Sequence, residues 1–89
     1  MSSFSKDPNA VLDYQVDWSG WLNGDTLATS TFAVTPVGLT IDSESNTTTV
    51  ATVWLSDGNL GTTYTVTNQV TTSGGRTDER SFHVAIVDF

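Results

Sequence analysis

Apolar and polar residues alternate along most of the chain. Over residues 12–18, Leu12, Tyr14, Val16 and Trp18 fall on one side and Asp13, Gln15 and Asp17 on the other, the period of two that marks a half-buried strand. Residues 26–35 repeat it with Ala28, Ser30, Phe32 and Val34 sharing a side, until Pro36, Val37 and Gly38 stop the run. A short third strand is expected over 39–42, then a polar loop over 43–47. Residues 48–55 form a fourth strand, with Val53 and Leu55 set against Thr52 and Trp54. After the turn residues 56–59, the longest strand covers 61–72. It sets Tyr64, Val66 and Val70 opposite Thr63, Thr65, Thr67 and Gln69, and Asn68 interrupts the apolar side, where a bulge or bend is expected. Residues 73–79 make a hairpin loop, and 80–87 return as the last strand through Phe82, Val84 and Ile86.

Between the first two strands, residues 17–25 mix turn formers with Trp18 and Trp21, three apart, as in a single helical turn ended by glycine; the two indoles are expected to plug one end of the core. Short strands, frequent turn signals and no longer helical segment predict an all-β fold, an immunoglobulin-like or fibronectin III-like β-sandwich of about six to seven short antiparallel strands, with a partly open barrel as the alternative. Residues 60–66 also look like the corner before the penultimate strand of such sandwiches, with Tyr64 as the tyrosine whose hydroxyl bonds back to the preceding connection. The expected organisation is an N-terminal arm, 1–10, with too little apolar material to pack unaided, and a single β-sandwich domain, 11–89.

Composition narrows the function. Threonine and valine dominate and straight-chain helix formers are scarce, in keeping with pleated strands. No run of apolar residues is long enough to cross a membrane as a helix, and the first residues lack the parts of a secretory signal. With no cysteine, packing and hydrogen bonds must supply the stability. Three Lys and Arg against ten Asp and Glu give a net charge of −7, which repels a phosphate backbone, so nucleic acid is not an expected partner; the charge serves solubility first. No catalytic constellation and no cofactor site stand out. His83 is isolated on the polar side of its strand, Asp17 and Asp25 lack the loop spacing of a calcium site, and Gly74 and Gly75 join two strands rather than opening a helix.

What remains is contact surface. If Val53 and Leu55 point inward, the pleat turns Trp54 outward toward a partner; the alternative is a place in the core. The hairpin carrying Arg76, Asp78 and Arg80 projects from the end of a sandwich where binding loops gather, with local ion pairing as its plainer role. The arm, with Lys6 and Asp7, could add a strand to a neighbouring subunit.

Lys6-Asp7-Pro8-Asn9-Ala10-Val11-Leu12-Asp13-Tyr14, Asp17-Trp18-Ser19-Gly20-Trp21-Leu22, Thr52-Val53-Trp54-Leu55-Ser56, and Gly61-Thr62-Thr63-Tyr64-Thr65-Val66-Thr67-Asn68 leading to Gly74-Gly75-Arg76-Thr77-Asp78-Glu79-Arg80 together resemble small tailed-bacteriophage virion proteins, the fibre-tail adaptors. The resemblance implies a non-enzymatic virion component in the tail or neck, made in the host cytoplasm and present in several copies. It would attach fibres to the tail by contacts with tail adaptor, nozzle or portal-proximal proteins and with the fibre. A capsid or tail decoration protein, or a glycan-binding adhesion module, are the alternatives. The family offers no binding residues to carry over, so the partner-binding set Lys6, Asp7, Trp54, Arg76, Asp78 and Arg80 rests on the reasoning above.

Overall fold

The structure, a computed structural model, describes residues 2–88. Seven strands and one helical turn follow one another: β1 (Ser2–Lys6), β2 (Leu12–Asp17), α1 (Ser19–Leu22), β3 (Leu27–Thr35), β4 (Leu39–Asn46), β5 (Val50–Asp57), β6 (Thr63–Thr72) and β7 (Thr77–Ile86). They form two sheets, one ordered β1-β7-β6-β3 and the other β2-β5-β4. The pairings are antiparallel except for β1 with β7, which is parallel. This is the immunoglobulin-like sandwich that the alternation predicts.

The inward rows of both sheets make the core. Val53, Leu55, Tyr64, Val66, Val70, Val84 and Trp18 lose all contact with solvent, and Ile86, Leu22, Phe82 and Leu27 nearly all. Burying a side chain of this kind contributes about 1.5–3 kcal/mol, which a chain without disulfides depends on. Threonine fills the opposite side of the pleat. On the outer face of the larger sheet, Thr67 and Ser81 share a hydrogen bond of 2.8 Å and Thr71 and Thr77 one of 3.2 Å, both across β6 and β7.

Tyr64 takes the corner position: its hydroxyl accepts a 3.0 Å hydrogen bond from the Asn59 amide. Gly38 makes room for that contact. It has φ +133°, and a Cβ there would come within 2.5 Å of the tyrosine oxygen, so both conformation and space require glycine.

Four expectations are corrected. First, Ser2–Lys6 is not a free arm but an edge strand, paired from Ser2 with Phe82 to Lys6 with Ile86. Phe4 holds it there, its ring 5.0 Å from that of Tyr14 and 5.6 Å from that of Phe82, so one aromatic joins β1 to both sheets. The outer ends of the two expected ranges, Met1 and Phe89, lie outside the described residues. Second, β4 does not give way to a loop at Ser43 but continues to Asn46, its polar residues held by backbone pairing with β5. Third, β6 runs through Asn68 in regular register; the irregularities fall instead between Leu27 and Thr29 in β3 and between Ile41 and Ser43 in β4. Fourth, β7 begins at Thr77, so the hairpin loop is shorter than the polar residues 77–79 suggested.

Candidate interaction surface

The three cations of the sequence are all engaged within the domain. Lys6 is fully buried, and its Nζ donates to the carbonyls of Asp7 at 2.9 Å and Asp57 at 2.8 Å. Burial pushes its pKa below the ordinary lysine value, against the pull of the Asp57, Asp7 and Asp42 carboxylates. Lys6 is thus turned inward rather than presented on a polar arm, and it ties β1 to the end of β5.

Arg76 and Arg80 reach back over the domain. The Arg76 guanidinium lies 4.4 Å from the Trp21 ring centroid, donates to the Leu22 carbonyl at 2.6 Å and pairs with Asp25 at 3.3 Å. The Arg80 guanidinium lies 4.2 Å from the Trp18 ring centroid and donates to the Asp17 carbonyl at 2.9 Å. Trp18 and Trp21 meet edge to face, with centroids 5.1 Å apart, so α1 and the Trp18 that caps its start present two indoles that two arginines clamp from the hairpin and β7. Asp25 is the hub of this end. The Thr72 hydroxyl, the Thr26 amide, the Gly74 amide and Arg76 all favour its charged form and lower its pKa to about 2. Asp17 is likewise held below the usual carboxylate range, chiefly by the Ser19 amide at 2.9 Å.

Trp54 is the candidate that faces outward. Its neighbours Val53 and Leu55 are fully buried, and its own side chain is 42% exposed on the outer face of the smaller sheet. Across the strands it stands beside Asp13 of β2 and Ser43 of β4, with no cation in that row. Val11, just before β2, is also exposed. Ser56 donates to Asp42 at 2.9 Å and Thr40 to Asp57 at 2.7 Å, so hydroxyls rather than cations hold these carboxylates. Asp78 is exposed beside the hairpin and accepts from the Glu79 amide at 2.8 Å. Asp7 accepts from the Asn9 amide at 2.8 Å in the turn after β1. The structure thus separates the expected set: Arg76, Asp78 and Arg80 sit toward the α1 end, Lys6 and Asp7 at the opposite end, and Trp54 on a sheet face.

Sequence reasoning missed Asn68. It is fully buried, accepts from the Trp18 indole at 2.8 Å and donates to Ser30 Oγ at 2.9 Å and the Thr31 carbonyl at 3.0 Å. The signal was a lone amide in an apolar row, which needs partners if it is to be buried. Tyr14 is the reverse case: among the described residues its hydroxyl is buried without a partner, and burial, then Asp13, raises its pKa. Between β1, β2 and β7 lies a shallow groove of about 220 Å³ floored by Phe4, Val16 and Phe82 and rimmed by Asp17 and Arg80. Among the described residues no group of three or more His, Asp or Glu side chains is placed to hold a metal ion.

In fold, the domain is similar to the solution structure of the PKD domain from the KIAA 1837 protein. That likeness has a TM-score of 0.57 at 19% identity, over 98% of this chain and 79% of that one. No curated protein matches the sequence. The family model described as podophage GP4 fiber-tail adaptor protein gp77 matches residues 6–85, nearly the whole sandwich, and the chain belongs to that family. It is a phage structural adaptor by family, and both the family and the immunoglobulin-like fold are typically non-enzymatic.

Proposed function

We propose that this domain joins tail fibres to the tail or neck of a phage particle purely by protein contacts. The observation that carries the reading is the family match over residues 6–85. On one side the domain meets tail adaptor, nozzle or portal-proximal proteins, on the other the fibre, in several copies per particle. Trp54 is the anchor of one of these contacts: a half-exposed indole on a flat sheet face has the size and the single donor that interface hot spots favour. Asp78 and Asp7 offer acidic contacts at the two ends, and Arg76 and Arg80 present the outer sides of their stacked guanidinium groups.

Three experiments test this together. In a reconstructed particle, density for the domain belongs at the tail or neck; density spread over the capsid lattice would replace the adaptor reading with decoration. In a phage carrying Trp54→Ala, fibre attachment should weaken by about 2 kcal/mol, on the order of thirtyfold, while the isolated variant keeps its melting temperature. Undiminished fibre incorporation would remove Trp54 from the interface, and binding of the purified domain to a glycan array would favour an adhesion role instead.

A further inference from the structure

The four edge strands of the sandwich are not equally protected. An open edge invites another strand, and proteins usually blunt it with charge, brevity or a bulge. Of these edges, β1 is only five residues long, β2 carries Asp13 and Asp17, and β4 carries Asp42 and Glu44 with an irregularity between Ile41 and Ser43. β3 differs: it has an irregularity only at its start, between Leu27 and Thr29, where the Leu27 amide donates to the Thr48 carbonyl at 2.9 Å, and beyond it the strand runs uncharged and in regular register with β6 from Thr29 to Thr35. Its outward side chains, Thr29, Thr31, Ala33 and Thr35, are small and exposed.

We propose that β3 is a docking edge that takes an extended, basic segment of another protein as an added strand. The neighbouring strand β4 selects the charge. β3 and β4 are edges of the two sheets and are in contact with each other. Glu44 pairs with the buried Val53, which turns it toward the space between the sheets, yet it is exposed, so it stands at the open mouth beside β3. A strand laid on β3 sends every second side chain toward that mouth, where lysine or arginine meets Glu44. No cation of this chain competes, because Lys6, Arg76 and Arg80 are held elsewhere. A second copy is the wrong occupant: pairing β3 with itself would bring two β4 edges, each with Asp42 and Glu44, side by side in chains of net charge −7.

The test is a titration of the 89-residue chain with a nine-residue peptide of alternating lysine and threonine, followed by backbone amide resonances. Shifts and slowed hydrogen exchange are expected at Thr29–Thr35. A glutamate–threonine peptide should bind at least tenfold more weakly. A lysine–threonine peptide with alternate amide nitrogens methylated keeps the charge but loses the ladder donors, and it should not slow exchange at β3. Glu44→Lys and Ala33→Lys, both at exposed positions, should each weaken the lysine peptide by about fivefold at low salt and keep a dispersed spectrum. No response at β3 with millimolar peptide, equal response to the methylated peptide, or concentration-dependent dimerisation through β3 would each overturn the proposal. Because the test uses no phage component, its failure leaves the adaptor reading standing.

Discussion

The two ends of the sandwich are closed by different chemistry. At the α1 end, two indoles, two guanidinium groups and a carboxylate hub form an exposed lid over the core, and most of its links are charged. At the other end, one buried ammonium, one tyrosine hydroxyl and one glycine close the structure through backbone partners, and the exposed carboxylates nearby, Asp42 and Asp57, are held by hydroxyls. The first end rests on ion pairing and cation–π stacking between side chains; the second rests on hydrogen bonds to and from the backbone and on close fit.

The contrast can be broken from either side. The largest effect is expected at the α1 end from Trp18→Ala, which empties a fully buried indole site, orphans the Asn68 carbonyl and removes the ring under Arg80. Urea denaturation should show a loss of about 4 kcal/mol. Next comes Lys6→Met at the opposite end, which keeps the buried stem but leaves the Asp7 and Asp57 carbonyls without their donor. It should cost about 2 kcal/mol and speed hydrogen exchange across β1, while Arg76 and Arg80 keep their contacts. Tyr64→Phe removes one hydrogen bond at the same end and should cost about 1 kcal/mol, independent of salt.

The smallest change sharpens the comparison through pH. The folded pKa of Asp25 is about 2, below its ordinary 3.8, so its contribution is present in full above the unfolded value and is lost as pH falls through about 2. Acid should therefore loosen the α1 end first, seen as a change in tryptophan fluorescence before the β1 amides lose protection. Asp25→Asn should flatten the loss of stability over this acid range. Equal acid sensitivity in that variant and the parent would place the titration elsewhere.

Much of this was legible in the sequence where structure is local. The alternation around Val53 and Leu55 predicts the outward Trp54, and the turn residues before Tyr64 predict its corner. What escaped depends on distant partners. β1 has a single apolar residue, Phe4, and becomes a strand only because β7 and the Tyr14 ring await it. Residues 43–46 are polar because they pair along an edge rather than pack in the core. Asn68 reads as a defect in its own strand, since Trp18 and Ser30, 50 and 38 residues away, are what satisfy it. Arg76 and Arg80 look like free hairpin charges until α1 folds beneath them.

The parallel pairing of β1 with β7 also has a mechanical meaning. Both strands run the same way along a body 42 Å long and about 20 Å across. Tension applied between Ser2 and Asp88 therefore drags the two strands past each other lengthwise, so the bonds between them resist together rather than peeling one by one. Lys6, pinned beneath the end of β5, adds a crossbar at the trailing end of β1. In the proposed position between a fibre and a tail, the domain would in this way carry load along its length without lengthening.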